Sequence, residues 1–169
     1  MKLTRIFCCL SGALALISCN RDVVFEDFES NSLGNWSVRG DAFALSGDLG
    51  DNCSFVPEDI KGYEGAGYLA GSASADTSSI TSRPFSIDSK YVNFLLGGTE
   101  GGWFYSSTSV NLIVDGEKVN TLSPVGGMTN GLSWMSWDIE QYKGHTATIQ
   151  VVVAPVRKIG NRDISFWTR

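Results

Sequence analysis

No part of this chain sustains an apolar period of 3.6 residues for several turns, and that absence constrains the fold more than any single motif. What recurs instead is a short apolar or alternating run closed by Gly, Asp, Asn or Pro. Residues 23–28 mix Val and Phe with acids and predict a first strand. Asn35-Trp36-Ser37-Val38 predicts a second, followed by Gly40-Asp41. From Ala44 to Gly71 Gly and Asp are frequent and periodicity is weak, which reads as loop with a strand near Gly67-Tyr68-Leu69-Ala70. Ser79-Ile80-Thr81-Ser82 leads into Pro84-Phe85-Ser86-Ile87, alternating apolar and polar as one half-buried strand would. Tyr91-Val92-Asn93-Phe94-Leu95-Leu96, bounded by Gly97-Gly98, is the densest apolar run of the domain and predicts a central strand. Val110 to Val114 alternates into Asp115-Gly116, a tight-hairpin signal, and on to Glu117-Lys118-Val119. Trp134 to Ile139, Thr146 to Val153 and Ile164 to Trp167 complete the series, with Lys143-Gly144 as another turn. Roughly eight to ten short strands between turn residues predict an all-β fold, a single antiparallel β-sandwich of jelly-roll-like type.

The N-terminus follows another pattern. Lys2 and Arg5 precede an apolar stretch of about a dozen residues, Ile6 to Ile17, a secretory core too short to span a bilayer. Leu16-Ile17-Ser18-Cys19 then puts a small residue before Cys, the lipobox pattern of bacterial lipoproteins. The expected organisation is a signal peptide over 1–18, a lipidated Cys19 with a short tether over 19–22, and the sandwich over 23–169. Acyl chains on Cys19 give a stable membrane anchor, since each buried methylene contributes about 0.8 kcal/mol. Asn20, not Asp, follows that Cys, which predicts an outer-membrane address in the bacterial cell envelope.

About 150 residues then remain, enough for one core and not for two. The formal net charge is −5, and no run of Lys or Arg forms a stripe, which excludes nucleic acid as a partner. Of the four Cys, Cys8 and Cys9 leave with the signal peptide and Cys19 carries lipid. Cys53 is left without a partner, so neither an intrachain disulfide nor a Cys-based metal site is expected.

Residues for catalysis are scarce. The single His, His145, sits in Lys-Gly-His-Thr at a turn and reads as a solvated turn residue. No Ser lies in a nucleophile-elbow pattern, and no carboxylate spacing is diagnostic of a paired acid and base. No cofactor is required. Glu29, in the acidic cluster Glu26-Asp27-Phe28-Glu29, and Asp163, before the last strand, would meet if first and last strands lie side by side. Their oxygens suit a structural calcium ion; solvated acids without an ion are the other reading. The aromatic residues are what a glycan-binding reading rests on. Trp36, Trp103, Tyr105 and Trp134 are the candidates to stack on sugar faces, against a core role for the same residue types. Trp103 and Tyr105 follow Gly101-Gly102 in a predicted loop. Trp134 and Trp137 differ by an odd number, so an unbroken strand points them to opposite faces and one of them is core.

These residues also carry a family likeness. Phe25-Glu26-Asp27-Phe28-Glu29-Ser30, Gly34-Asn35-Trp36 and Gly40-Asp41-Ala42-Phe43 resemble the opening of a β-sandwich module that precedes the catalytic domain in many bacterial family-32 glycoside hydrolases. These are the levanases and other fructan β-fructosidases. The likeness continues in order through Gly62-Tyr63-Glu64-Gly65, Ser79-Ile80-Thr81-Ser82, Tyr91 to Gly98, Val110 to Gly116, Trp137-Asp138-Ile139 and Lys143-Gly144-His145-Thr146-Ala147. Two departures matter. The catalytic motifs of that family are absent: no W-M-N-D-P-N-G, no R-D-P and no E-C. Trp134-Met135-Ser136-Trp137-Asp138 resembles the first only superficially, and Arg162-Asp163 lacks the Pro of the second. The family's Gly-Gly-Trp-Gly-His stretch is replaced by Val156 to Asn161. The resemblance implies a non-catalytic accessory module of fructan utilisation, partnered by the polysaccharide or by a hydrolase catalytic domain. A structural scaffold, or the remnant of a truncated enzyme, is the alternative it leaves.

Overall fold

The computed structural model describes residues 22–30, 32–46, 60–71, 76–98, 108–124 and 129–154. Cys19, Cys53, Trp103, Tyr105, Asp163 and the expected strand Ile164 to Trp167 lie outside the described residues. Among the described residues ten strands follow one another: β1 Trp36–Arg39, β2 Phe43–Leu45, β3 Leu69–Gly71, β4 Ser78–Ser82, β5 Phe85–Ser86, β6 Tyr91–Gly98, β7 Thr108–Val114, β8 Glu117–Leu122, β9 Thr129–Asp138 and β10 Thr146–Val153. A 3-10 turn, Glu140–Tyr142, leads into β10. The all-β expectation holds.

The strands form two layers. The larger sheet runs β1-β4-β10-β7-β8, with β5 also paired to β10, and every pairing in it is antiparallel. Opposite it lies the ribbon β6-β9, and β2-β3 forms a further pair. Along β7 the side chains of Val110, Leu112 and Val114 are buried, and they meet Trp137, Ile139, Ile87 and Ala147 in one core. Val92, Phe94 and Leu96, every second residue of β6, pack on that cluster from the other layer. The Phe94 and Trp137 rings lie 4.8 Å apart at 59°.

Three expectations are corrected. Residues 22–30 form no strand, because Glu26 and Asp27 turn the backbone locally. Glu26 Oε1 accepts the Phe28 N–H at 3.1 Å and Asp27 Oδ1 accepts the Glu29 N–H at 3.1 Å. Side-chain bonds of this kind compete with a ladder, and here they hold Phe28 at φ +56°. The stretch 79–87 is two strands, not one, since Pro84 cannot donate to a ladder. β6 is not central: among the described residues it pairs with β9 alone, while β10 and β7 occupy the middle of the large sheet. Its apolar density reflects Val92, Phe94 and Leu96 facing the core and not burial on both faces.

The Asp115-Gly116 hairpin forms as the sequence indicates, with φ of +49° and +90° at the two turn residues.

Candidate functional site

β6 and β9 turn one face to the core and the other outward. The outer face carries Tyr91, Asn93 and Leu95 from β6, and Trp134, Ser136 and Asp138 from β9. Register places Leu95 opposite Trp134, Asn93 opposite Ser136 and Tyr91 opposite Asp138. Trp134 is 60% exposed and Tyr91 49%, whereas Trp137, three residues further along β9, is 5% exposed. The parity argument therefore resolves with Trp137 in the core and Trp134 on the surface. Trp134 and Tyr91 stand at opposite ends of the face, four residues apart along the strands, or about 13 Å. Asn93 and Ser136, both exposed, lie between them and present an amide and a hydroxyl.

The Tyr91 end is charged but compensated. Lys90 Nζ lies 2.9 Å from Glu140 Oε2, 3.8 Å from Asp138 Oδ2 and 5.4 Å from the centre of the Tyr91 ring. The hydrogen bond to Glu140, then the Glu140 charge, raises the Lys90 pKa above that of an ordinary lysine. Two flat rings separated by neutral donors and acceptors can bind a neutral molecule with apolar faces and a hydroxylated rim. Sequence reasoning named Trp134; it did not name Tyr91 or Asn93, whose alternation with Val92 and Phe94 was the available signal.

The other candidates fall elsewhere. Trp36 is half-buried in β1 among Phe25 and Phe28, with ring centres 6.5 Å and 5.7 Å away. Its indole N–H donates to Glu26 Oε2 at 2.9 Å, so the structure employs it in tying the N-terminal segment down. Phe25 in turn packs on Phe85 and lies under the Arg83 guanidinium. Glu29 Oε1 accepts the N–H groups of Ala66 at 2.7 Å and Gly67 at 3.0 Å, which fixes the loop before β3. Among the described residues no three His, Cys, Asp or Glu side chains gather as a metal site.

His145 does not stand alone at its turn. Its Nδ1 pairs with Asp115 Oδ2, and Asp115 Oδ1 accepts the Thr146 N–H at 3.2 Å. The His145 bond first, and the Thr146 bond second, hold the Asp115 carboxyl below the usual carboxylate range. This pair clamps the β7-β8 hairpin to the start of β10.

No family model matches the chain, and no solved structure does. Among curated proteins, it is 34% identical over 144 residues to the protein named "Putative glycosyl hydrolase ecdE" of Aspergillus rugulosus. The match covers 79% of this chain and 19% of that protein, so the chain spans about a fifth of its relative's length. The chain is related to a protein named as a glycosyl hydrolase.

Proposed function

We propose that the chain is a non-catalytic, lipid-anchored accessory module of polysaccharide utilisation that binds neutral glycan on the outer face of β6-β9. The observation that carries this reading is Trp134, held 60% exposed on a rigid strand whose opposite face is core. A large apolar ring left in water on a well-packed ribbon gains most from a partner with a flat apolar face. Sugar rings offer such a face, and the glycosyl hydrolase relative supports that class of ligand. The finer kinship, to the module beside the catalytic domain of family-32 levanases, comes from the motif order in the sequence and makes fructans the first polysaccharides to try.

Three further parts belong to the same proposal. Cys19 carries the lipid and holds the domain at the outer membrane; labelling with a radioactive fatty acid, lost in Cys19→Ser, reads it. The chain performs no hydrolysis of its own, and release of sugar from levan or inulin would contradict that. A structural calcium ion at Glu29 and Asp163 is read by comparing the melting temperature with and without EDTA.

Trp134→Ala is expected to weaken retention by levan about tenfold, the loss of one ring contact, with the melting temperature unchanged. Unchanged retention would remove the platform. A second reading has one observation in its favour: the related segment is only 19% of its hydrolase relative. On that reading the module braces a catalytic domain, and the Trp134 face binds protein instead of sugar.

A further inference from the structure

The segment Gly62-Tyr63-Glu64-Gly65 through Tyr68 leads into β3. In the structure it forms one wall of a cleft of about 330 Å³, within the size range of small-ligand sites. We propose that this cleft is a second carbohydrate site, which takes a short neutral saccharide or the end of a chain, distinct from the open Trp134 face that takes the length of one. The proposal rests on the glycan reading above and adds a site to it.

Tyr63 and Tyr68 line the cleft with ring centres 5.2 Å apart at 53°, and Phe28 and Leu45 add apolar wall. Burial first, and the neighbouring Tyr63 second, raise the Tyr68 pKa and keep its phenol a neutral donor. Glu29, Ser30 and Ser46 are the short polar lining, and all three are already engaged, Ser30 Oγ donating to the Ser32 carbonyl at 2.9 Å. Glu29 Oε1 is held by two backbone N–H groups, and Ser46 Oγ accepts the Tyr68 N–H at 3.3 Å. A carboxylate has about four acceptor sites, so Glu29 keeps capacity for sugar hydroxyls while staying in place. Rigid aromatic walls with pre-set acceptors lower the ordering cost of binding a hydroxylated ring.

Close backbone approach shapes the wall. A Cβ on Gly67 would lie 2.1 Å from the Phe28 carbonyl oxygen, and one on Gly65 would meet the Glu29 carboxylate. The same segment is anchored to the strand that carries Trp134. Lys61 bridges Gly131, and the Leu132 N–H donates to the Lys61 carbonyl at 2.8 Å. The Glu29 charge disfavours anionic sugars, and Oε1, held by the Ala66 and Gly67 amides, remains an acceptor for a hydroxyl.

Titrating the protein with sucrose, a fructose disaccharide and maltose, followed by amide NMR, tests this. Saturable shifts of the Ala66 and Gly67 amides are expected for at least one saccharide. Tyr63→Ala should weaken that binding about tenfold, Tyr63→Phe should keep it through the retained ring, and Trp134→Ala should leave it within about twofold. Absence of any saccharide response, equal loss in Trp134→Ala, or a response to tetramethylammonium in place of sugars would overturn the cleft. The two sites fail separately: a protein retained by levan yet silent to disaccharides keeps the platform, and the reverse keeps the cleft.

Discussion

Trp137 and Trp134 sit three positions apart on one strand and are used in opposite ways. Trp137 fills the space between layers against Phe94, and its ring is part of the main core cluster. Truncating it removes a large apolar side chain and leaves a cavity that neighbouring strands cannot close. Trp137→Ala is therefore expected to cost about 3–5 kcal/mol in denaturant unfolding. A cost near that of an ordinary surface change would mean that the layers do not pack through it. Parity made this division legible from the sequence, but parity alone did not say which ring was buried. That depended on the phase of β6, where Val92, Phe94 and Leu96 turn the same way as Trp137. Trp36 was less legible. Its half-buried setting comes from Phe25, Phe28 and Glu26, residues some ten positions away whose fold is set by side-chain bonds and not by period.

At the scale of elements, turns were read well and ladders less so. Asp-Gly specifies a tight hairpin because both residues accept positive φ, and Asp115-Gly116 does so. The failure at residues 22–30 has the opposite cause, since acidic side chains there satisfy the backbone N–H groups that a strand would have used. Strand β2 was missed because three residues within a Gly-rich stretch give no period; its pairing with β3 supplies it. The Asp115-His145 clamp was invisible because its partners are thirty positions apart and meet only when β10 pairs with β7. Its consequence is a pH dependence. The Asp115 pKa is lowered in the folded state, so its contribution is present above the ordinary Asp value and is lost as pH falls through the folded value. Asp115→Asn keeps the turn chemistry and removes the charge. Wild type should melt above this variant at neutral pH, and the difference should close in the acid range. A difference that persists below the carboxylate range would locate the stabilisation elsewhere.

At the scale of the whole molecule, the described residues make one β-sandwich with a packed interior and two surfaces that the packing does not require. One is the Trp134-Tyr91 face, exposed on a ribbon whose other side is fully engaged. The other is the tyrosine-lined cleft beneath the N-terminal segment. Both suit the neutral hydroxylated ligand proposed for them. The relation to a fifth of a protein named as a glycosyl hydrolase supports a glycan-related role, and the proposal places that role on these two surfaces. Affinity electrophoresis of the purified protein through native gels containing levan, inulin or an unrelated glucan tests that claim most directly. Retardation by a fructan and not by the glucan, relieved in Trp134→Ala, is the predicted result. Equal mobility in all gels would contradict glycan binding and turn the exposed face over to a protein partner.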